Sequence, residues 1–423
     1  MITPFLNQCP QQKHFLIGLS GGVDSVVLLH LFKQLQAEQH LHLRAVHIHH
    51  GLSPSADHWA AFCQSLCEQW QIPLIVRRVK VEGSQGLEAN ARTARYQAIR
   101  DILQPNEWFA TAHHLDDQVE TFFLALKRGA GLKGLSAMQG VRSFEKSAIF
   151  RPLLGVSKAE ILAYAEQHQL PWIVDESNAD SRFDRNFLRN EILPPLNQRW
   201  SQFNQMVART SQLCAEQETL IEELLTDELN ARFELSNQSL KITDFAHFSK
   251  LKQQQLVRLW LEKCQQPMPS QAQLQQILQL IEAERDKNPQ VQLGEKMIRR
   301  YQERIYLTEK SPLAPLFQRK IEIGEVIELP DNLGTISRTQ NSLQFCKNSD
   351  FLPPLQLPET LRNQPLTIKF GVSGKVKLFG KFHREEMKKI WQQNGVPVWE
   401  RQRTPLVFWG DQLVAVLTLS PTT

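Results

Sequence analysis

Cysteine is scarce in this sequence: six cysteines are scattered over 423 residues, at positions 9, 63, 67, 214, 264 and 346. That number is too low for a disulfide framework, and we expect reduced thiols, as in a cytoplasmic protein. No uninterrupted run of about 18 apolar residues occurs, which excludes a membrane-spanning helix. The first residues carry neither a basic segment nor a small-residue cleavage site, so we expect no secretion signal. These absences predict a cytoplasmic protein that does not act at a membrane.

Neither sign of charge is in large excess over the whole chain, which contains 48 Lys and Arg and 44 Asp and Glu. Basic residues are nevertheless concentrated near the end. Residues 366–404 hold nine Lys or Arg and three Glu, a net +6 within a total of +4, which leaves −2 for the rest. Apolar residues make up 42%, enough for real cores, and the length predicts two or three domains. The composition excludes a mostly disordered chain and indicates one basic surface in the C-terminal part.

The first 200 residues alternate short apolar runs with longer amphipathic segments. Strands are predicted over 14–19, 41–48, 73–76 and 108–112, with helices ending near 39, 71, 103 and 127. This alternation predicts an α/β domain over residues 1–200, with a doubly wound parallel sheet. Residues 201–310 are predicted to form a mainly helical middle domain, with helices over 206–229, 248–263 and 271–284 and one strand over 299–307. Residues 311–423 are predicted to be a proline-punctuated linker and a small, basic α+β domain.

The sharpest motif is Ser20-Gly21-Gly22-Val23-Asp24-Ser25, between a predicted strand and a predicted helix. It is not a Walker-type loop, because no G-x-x-x-x-G-K-[ST] sequence occurs in the chain. Paired glycines let the backbone approach a ligand closely, and a helix N-terminus offers N–H groups with a partial positive charge. The motif therefore predicts a cradle for an anion, most naturally a polyphosphate. The structural alternative is an ordinary strand–turn–helix connection.

A second polar cluster follows the fourth predicted strand, in the segment T-A-H-H-L-D-D-Q-V-E-T at 111–121. His113, Asp117 and Glu120 stand at i, i+4 and i+7, along one face of a helix that begins early. A histidine with two carboxylates suits Mg²⁺ coordination and the orientation of a reacting group. The alternative is a helix start capped by aspartate beside a satisfied histidine. Because the glycine loop is predicted at the same edge of the sheet, ligand binding is favoured.

Two further segments carry charged residues that suit phosphate or RNA. Arg92 and Arg95 lie on a predicted helix and can clamp phosphates, although Glu88 and Arg92 have the spacing of an exposed helical ion pair. Residues 175–190 are polar and charge-balanced, where the first domain gives way to the middle helices. A capped helix start is the alternative for this second segment.

Taken together and in order, these motifs closely resemble the tRNA(Ile)-lysidine synthase family of PP-loop ATP pyrophosphatases, which have the adenine nucleotide alpha-hydrolase-like fold. The similarity is dense over roughly 14–200 and continues in the tail at 388–411. The matching segments are S-G-G-V-D-S at 20–25, H-x-H-H-G at 47–51, E-A-x-A-R-x-x-R-Y at 88–96, H-H-x-D-D-Q-x-E-T at 113–121, K-R-G-A-G-L at 127–132, R-P-L-L at 151–154, W-I-V-D-E-S-N at 172–178 and D-R-N-x-x-R at 184–189.

The resemblance implies ATP-dependent ligation of L-lysine to carbon 2 of the wobble cytidine in the CAU-anticodon isoleucine tRNA. The reaction would pass through an adenylated cytidine and release pyrophosphate and AMP. ATP and Mg²⁺ are the implied cofactors. The implied partners are this tRNA and L-lysine; the oligomeric state is left open, a homodimer included.

The resemblance also implies roles for individual residues. Ser20 to Ser25 would hold the β- and γ-phosphates of ATP, and Asp24 and Asp117 would be the Mg²⁺ partners. His113 and Glu120 would position the cytosine or the incoming amine, while Arg92 and Arg189 would contact phosphate or RNA. The candidates for lysine-binding carboxylates are Asp175 and Glu176.

The basic tail then predicts a tRNA-binding surface, because clustered Lys and Arg bind the phosphate backbone by releasing counterions. Lys388, Lys389, Arg401 and Arg403 are the expected contacts, with Phe382, Trp391 and Trp399 interleaved among them. Phosphate contacts position an RNA without reading its sequence. The alternative is a solvated basic face whose aromatic residues belong to the local core.

Two rival functions stay open at this point. tRNA thiolation enzymes share the PP-loop, but they generally need a sulfur-carrying cysteine or a C-x-x-C pair. Here Cys63 and Cys67 form C-x-x-x-C on a predicted helix, a spacing that indicates a buried face. A non-catalytic tRNA-binding protein is the other rival, and the intact acidic and histidine residues of the two motifs argue against it.

Overall fold

The computed structural model describes residues 2–51, 53–80, 87–283, 289–310, 317–347 and 350–418. The chain divides into two compact units, Met1–Glu222 and Glu223–Thr423. Gly86 and the side chain of Glu88 lie outside the described residues, so the predicted Glu88–Arg92 pair has no structural description. Among the described residues no helix is both long enough and apolar enough to cross a membrane.

The first unit is an α/β domain followed by a cluster of helices. Its strands are β1 (His14–Gly18), β2 (His42–His49), β3 (Leu74–Arg78), β4 (Glu107–Ala110), β5 (Val141–Phe144) and β6 (Ser147–Phe150). Its helices are α1 (Thr3–Gln8), α2 (Val23–Leu35), α3 (Ala56–Gln69), α4 (Leu87–Ile102), α5 (Leu115–Lys127), α6 (Leu132–Leu135), α7 (Lys158–Gln167), α8 (Asp184–Phe187), α9 (Leu193–Arg199) and the start of α10 (Phe203–Arg232), which continues past Glu222.

The sheet of this unit has the strand order β3-β2-β1-β4-β6-β5. Strands β1, β2, β3, β4 and β6 pair in parallel, and only the edge strand β5 runs antiparallel. Phe15, Leu16 and Ile17 are consecutive and all fully buried, because helices cover both faces of a doubly wound sheet. The predicted α/β fold class is confirmed. Strands β1 and β4 end side by side, which brings the chain after Gly18 and the chain after Ala110 to one edge.

The described residues of the second unit form three sheets, and three further helices begin in it. Its helices are α11 (Lys250–Lys263), α12 (Gln271–Glu282) and α13 (Met387–Gln393). Its strands are β7 (Phe233–Glu234), β8 (Ser239–Lys241), β9 (Gln290–Leu293), β10 (Lys296–Tyr301), β11 (Arg304–Glu309), β12 (Gln318–Ile321), β13 (Val326–Glu328), β14 (Thr335–Arg338), β15 (Ser342–Lys347), β16 (Asp350–Phe351), β17 (Leu355–Gln356), β18 (Leu366–Lys369), β19 (Lys375–Leu378), β20 (Arg384–Glu386), β21 (Leu406–Trp409) and β22 (Gln412–Val416).

The single strand predicted over 299–307 is wrong in this unit. A hairpin stands there, because the chain turns between Tyr301 and Arg304 and pairs β10 with β11. Gln302 takes the left-handed conformation at that turn, with φ at 51°. No glycine, asparagine or proline marks the position, so the usual sequence signal for a tight turn is missing. The hairpin belongs to a five-stranded sheet, β7-β8-β11-β10-β9, whose core includes the fully buried Trp260 of α11.

The C-terminal part of the second unit is richer in strands than in helix. Strands β12-β18-β21-β22-β19-β20 form one sheet, and β13-β14-β15-β16, with β17 paired to β15, form another. The helix α13 packs Met387, Ile390 and Trp391 into a small core with Val376 and Leu406. These features confirm a small, strand-rich α+β region with one basic helix.

Candidate active site

The glycine loop is held in shape by its own serine hydroxyls. The Ser25 Oγ accepts the backbone N–H groups of Ser20 and Gly21 at 3.1 and 3.2 Å and donates to the Gly22 carbonyl at 2.9 Å. The Ser20 hydroxyl lies 3.1 Å from the Ser25 hydroxyl. Helix α2 begins directly after Gly22, so the backbone N–H groups of Val23 and Asp24 lie in its first turn without intrahelical acceptors. The loop is thus pre-shaped around a helix N-terminus, where an anion is favoured.

Gly21 is required at its position for two reasons. Its φ is +92°, a conformation that side-chain-bearing residues rarely adopt. A Cβ there would also come within 3.0 Å of Ile173 Cδ1 and 3.4 Å of Cys63 Sγ. The Ile173 N–H donates to the Gly21 carbonyl at 2.9 Å, so the segment after α7 fixes the back of the loop. Gly22 differs from Gly21, because a Cβ added there would contact only the Ser20 hydroxyl, at an ordinary distance of 3.6 Å.

Asp24 is paired with a lysine that the sequence analysis did not single out. The Lys158 ammonium donates to Asp24 Oδ1 at 2.6 Å. Lys158 is the first residue of α7, and its own backbone N–H donates to Asp116 Oδ2 at 2.8 Å. Asp116 Oδ1 in turn accepts from the Asn204 amide at 3.0 Å. Asp116 therefore ties α7 and α10 to the start of α5 and sets where the Lys158 side chain begins.

His114 caps helix α5 between the acidic residues of both motifs. Its Nδ1 accepts the Asp116 backbone N–H at 3.2 Å, and its backbone N–H donates to Asp117 Oδ2 at 3.1 Å, which completes a capping box. Its Nε2 lies 3.5 Å from Asp117 Oδ2 and 3.8 Å from Asp24 Oδ2. Burial lowers its pKa, but the three surrounding carboxylates outweigh burial and raise the pKa of His114 above its ordinary value. The same residues cap the helix and form the acidic cluster. The two alternatives from the sequence, a capped helix start and a histidine–carboxylate cluster, are therefore both present.

His113 precedes the helix rather than lying on it, which corrects the expectation of an early helix start. The helix begins at Leu115, so only Asp117 and Glu120 share its surface at i, i+3. The His113 Nδ1 lies 2.8 Å from the Thr111 hydroxyl. Burial lowers the pKa of His113 to about 4. The negative charge of Asp117 raises this pKa, whereas the positive charges of Arg151, Arg185 and Arg92 lower it. His113 is therefore a neutral imidazole at neutral pH.

Glu120 has no exposed surface and is held by arginine. Its side chain is 0% exposed, and its two oxygens accept from Arg189 Nε at 2.7 Å and Arg189 Nη2 at 3.1 Å. Arg189 also reaches Asp117 Oδ1 at 3.3 Å. Burial raises the pKa of Glu120, opposed by the hydrogen bonds and charge of Arg189. Glu120 thus fixes the orientation of the Arg189 side chain, and its expected role toward cytosine or amine stays a prediction.

Three arginines surround His113, and two of them were not predicted as site residues. Arg92 stacks over the Tyr96 ring at 5.1 Å from its centroid, and Arg185 donates to the Thr121 hydroxyl at 3.2 Å. Arg151 is buried, and its Nη1 donates to the Gln139 carbonyl at 2.8 Å. The Nε atoms of Arg151 and Arg185 are buried without a hydrogen bond, and Arg185 Nε forms an ion pair with Glu120 Oε2 at 3.4 Å. Arg151 belongs to the segment R-P-L-L and Arg185 to D-R-N-x-x-R. Their presence in these two family segments was the feature of the sequence that could have marked them as site residues.

The residues expected to hold Mg²⁺ meet at one imidazole. Asp24 and Asp117 both face His114 Nε2, which brings two carboxylates together beside the glycine loop. Carboxylate oxygens suit Mg²⁺, which usually takes its other ligands from phosphates and water. Within the described ranges no group of three or more His, Cys, Asp or Glu is arranged to hold a metal by itself. The chemistry of the donor set therefore fits a metal that arrives with a nucleotide.

Of the two candidates for lysine binding, Glu176 begins a single turn of 3₁₀-helix over Glu176–Ala179 and Asp175 directly precedes it. The side chain of Glu176 is exposed and that of Asp175 is half-buried. Their role stays a prediction.

The tail residues fall into an exposed set and a packed set. Lys388 and Lys389 are exposed on α13, and Phe382 protrudes from a hairpin. Trp391 is 4% exposed and belongs to the local core, which favours the core alternative for this ring. Trp399 packs against Tyr306 at 5.6 Å between ring centroids. Arg403 is 14% exposed and pairs with Asp331 at 3.8 Å.

Cys63 and Cys67 lie on the buried face of α3, as their spacing indicated. Burial raises the pKa of Cys63 to about 12 and that of Cys67 to about 11. Both thiols are therefore protonated and unreactive at neutral pH. A sulfur-carrying role for this pair is not favoured.

Comparisons with known proteins agree over nearly the whole chain. Three family models match: a PP-loop domain at residues 2–196, the TilS substrate binding domain at 240–306 and the TilS substrate C-terminal domain at 366–421. A tRNA(Ile)-lysidine synthase of Actinobacillus pleuropneumoniae serotype 3 is 55% identical over 415 residues, which cover 98% of both chains. The enzyme of the same name from Haemophilus ducreyi is 52% identical, over 97% of this chain and 95% of its own. That from Haemophilus influenzae (strain KW20 / Rd) is 50% identical, over 94% and 93%.

Proposed function

This chain belongs to the tRNA(Ile)-lysidine synthase family, and from that premise we propose that it ligates L-lysine to carbon 2 of the wobble cytidine in the CAU-anticodon isoleucine tRNA. ATP is consumed to AMP and pyrophosphate. The observation that carries the proposal is the serine-braced loop at Ser20 to Ser25, which faces an acidic cluster at the same sheet edge. Because tRNA and ATP are its substrates, we expect the protein to act in the cytoplasm.

The chemical problem is that the oxygen on carbon 2 of cytosine is a poor leaving group. That oxygen attacks the α-phosphorus of ATP, the bond to the β-phosphate oxygen breaks, and pyrophosphate leaves. The lysine ε-amine then attacks carbon 2 and AMP departs with the original oxygen, while the amine loses its protons. A loop that holds the β- and γ-phosphates favours the first step, because it stabilises the charge that builds on the departing pyrophosphate.

The bracing of the loop by Ser25 supports this assignment. Two backbone N–H groups are already turned onto the Ser25 hydroxyl, so the turn is formed before any ligand arrives. The first-turn amides of Val23 and Asp24 are then the free donors for phosphate oxygens. Mg²⁺ bound to the phosphates would be held by Asp24 and Asp117, and it would supply neutralisation of the pyrophosphate charge.

Lys158 extends the proposed phosphate site. Its ammonium is 2.6 Å from Asp24, a carboxylate assigned to the metal, so it occupies the position of a cation beside the loop. We assign it to the leaving pyrophosphate. Lys158→Met is expected to raise the KM for ATP at least tenfold and leave tRNA affinity within twofold, with Lys158→Arg partly retaining function. An unchanged KM for ATP in Lys158→Met would contradict this role.

His113 is assigned to orientation rather than to proton removal. A pKa of about 4 lies roughly six units below that of a lysine ammonium, so its imidazole is too weak a base to deprotonate the incoming amine. Its neutral ring nitrogens can hydrogen-bond the cytosine edge, with Thr111 fixing the ring from the other side. Arg92, Arg151 and Arg185 supply positive charge nearby, which suits a nucleotide phosphate.

The direct experiment gives the protein an unmodified transcript of the CAU isoleucine tRNA with ATP, Mg²⁺ and isotopically labelled L-lysine. Nucleoside mass spectrometry is expected to find one cytidine per tRNA carrying the mass of lysine less water. ATP labelled at the α-phosphate should yield AMP, and ATP labelled at the γ-phosphate should yield pyrophosphate. A transcript with uridine at the wobble position is the control. Release of inorganic phosphate in place of pyrophosphate would overturn the proposal, and tRNA binding without AMP would identify a binding protein.

A further inference from the structure

The hairpin between β19 and β20 carries an aromatic side chain that the fold does not use. Phe382 stands at its tip and is 103% exposed, with no core or ring contact among the described residues. Its neighbours in the same region, Val376 and Trp391, are buried. The base of the hairpin is firm, because Lys375, Val376 and Lys377 pair with Glu386, Glu385 and Arg384, and Phe379 packs edge-on against Trp409 at 6.0 Å.

Basic groups are gathered around this tip by one buried acid. Glu385 is 8% exposed and contacts Lys381 at 3.0 Å, His383 at 3.4 Å and Lys389 at 4.0 Å. The hydrogen bond from Lys381 lowers the pKa of Glu385 most, so the carboxylate stays charged and keeps the cations around it. Residues 375–389 contain six Lys or Arg and two Glu, a net +4. The tip is therefore an exposed ring flanked by cations on a fixed scaffold.

A single exposed apolar residue needs no partner in itself, but an aromatic among fixed cations matches one ligand class. Unpaired nucleobases stack on aromatic rings, and the phosphates on either side of such a base bind neighbouring Lys and Arg. Paired bases inside a stem offer no free face to a protruding ring. Protein and lipid partners fit less well, because one ring gives little apolar area and basic groups outnumber acidic ones around it.

We propose that Phe382 is a stacking platform for an unpaired base of the tRNA substrate, with Lys381 and Arg384 on the adjoining phosphates. The inference rests on the proposed function for its substrate, and it assigns a contact that phosphate binding by α13 does not supply. Stacking contributes to affinity without releasing counterions, whereas Lys and Arg contacts release them. The two kinds of contact therefore leave different signatures in the salt dependence of binding.

The test measures the dissociation constant of the full chain for the CAU isoleucine tRNA at several salt concentrations. Phe382→Ala and Phe382→Leu are expected to weaken binding roughly tenfold, within the range typical of one stacked base, with the salt slope unchanged. Phe382→Trp should restore affinity, because it keeps an aromatic face. Leu235→Ala, at another exposed apolar side chain of the same unit, is the control and should change nothing.

A second measurement identifies the base. A photoreactive phenylalanine analogue at position 382 should cross-link to tRNA at an unpaired nucleotide, located by primer extension. Wild-type affinity in Phe382→Ala, full binding by Phe382→Leu, or a cross-link confined to a paired stem would each overturn the inference. Loss of self-association in Phe382→Ala with tRNA affinity intact would assign the ring to a second copy of the chain instead. Binding and cross-linking are read without turnover, so failure of the wild-type chain to form lysidine would count against the proposed function alone.

Discussion

Two charged regions of this protein are built in opposite ways. At the candidate active site every central charge is held by another: Asp24 by Lys158, and Asp117 and Glu120 by Arg189. Around the β19–β20 hairpin and α13, lysines stand in solvent, and a single buried acid, Glu385, gathers three basic groups. In the first region a substitution leaves a half-buried partner without its counter-charge, so its effect is larger and local. In the second region water and salt replace a lost contact, so effects are graded and depend on ionic strength.

The largest effect of a substitution in the first region is expected at Asp24. Asp24→Asn is expected to reduce AMP formation at least 1,000-fold, because it removes the carboxylate that we propose for the metal and leaves Lys158 without its acid. tRNA affinity should stay within about threefold. The measurement is single-turnover release of AMP from α-labelled ATP, with thermal unfolding as the check on folding. Asp101→Asn, at an exposed aspartate of the same unit, is the matched control. A comparable loss of tRNA binding would contradict the division of labour between the two regions.

Glu120 provides the next largest effect, on stability. Glu120→Gln is expected to lower the free energy of unfolding of the first unit by about 2–3 kcal/mol, less than a fully buried pair because Arg189 is partly exposed. Glu145→Gln, in an exposed pair with Arg100, should cost under about 0.5 kcal/mol. Urea titration of both variants gives the comparison. Equal effects would mean that burial does not distinguish these two ion pairs.

On the exposed side, neutralising two lysines should give an intermediate effect. Lys388→Gln with Lys389→Gln is expected to weaken tRNA binding about tenfold at physiological salt and to reduce the slope of log affinity against log salt by up to about 2. Filter binding over a range of salt concentrations measures both quantities. An unchanged slope would return this helix to a solvated basic face with no role in RNA binding.

Much of the first region could be predicted from the sequence, because its elements are local. The apolar run at Phe15 to Ile17, the glycine pair and the acidic segment each signal a strand, a turn or a helix start within a few residues. Parallel strand order then brings two of these segments to one edge. Lys158 could not be found this way, because it lies 134 residues from Asp24 in the chain and begins a serine-capped helix that matches no functional motif.

Burial was the other quantity that the sequence could not supply. Glu120 and Trp391 stand among residues with clear functional patterns, yet each faces inward, since helix phase and tertiary packing decide which side is covered. The hairpin at Gln302 was missed for a different reason. Its turn uses a non-glycine residue in the left-handed region, where propensity gives no warning.

A smaller effect concerns the protonation of His113. Because its pKa falls from 6.5 to about 4 on folding, the unfolded chain binds the proton more readily, and His113 destabilises the protein as the pH falls between these values. Asp117 opposes that shift, so Asp117→Asn should lower the pKa of His113 further. NMR titration of the imidazole measures both values. A pKa near 6.5 in the wild-type chain would show an open, hydrated ring and would reopen a role as a base.

The smallest effect is expected at Arg403. Its substitution tests whether packed and exposed cations of the tail differ in their contribution to tRNA binding. Arg403 was a candidate for RNA binding by its position in a basic segment, but it is 14% exposed and faces Asp331. A guanidinium already paired and largely covered releases few counterions when RNA arrives. Arg403→Gln should therefore change tRNA affinity less than twofold and leave the salt slope as it is, while Lys389→Gln changes both. If Arg403→Gln reduced the salt slope by about 1, the ion pair with Asp331 would have to open when tRNA binds. The tail would then resemble the active site, where charged side chains are paired with other residues of the protein.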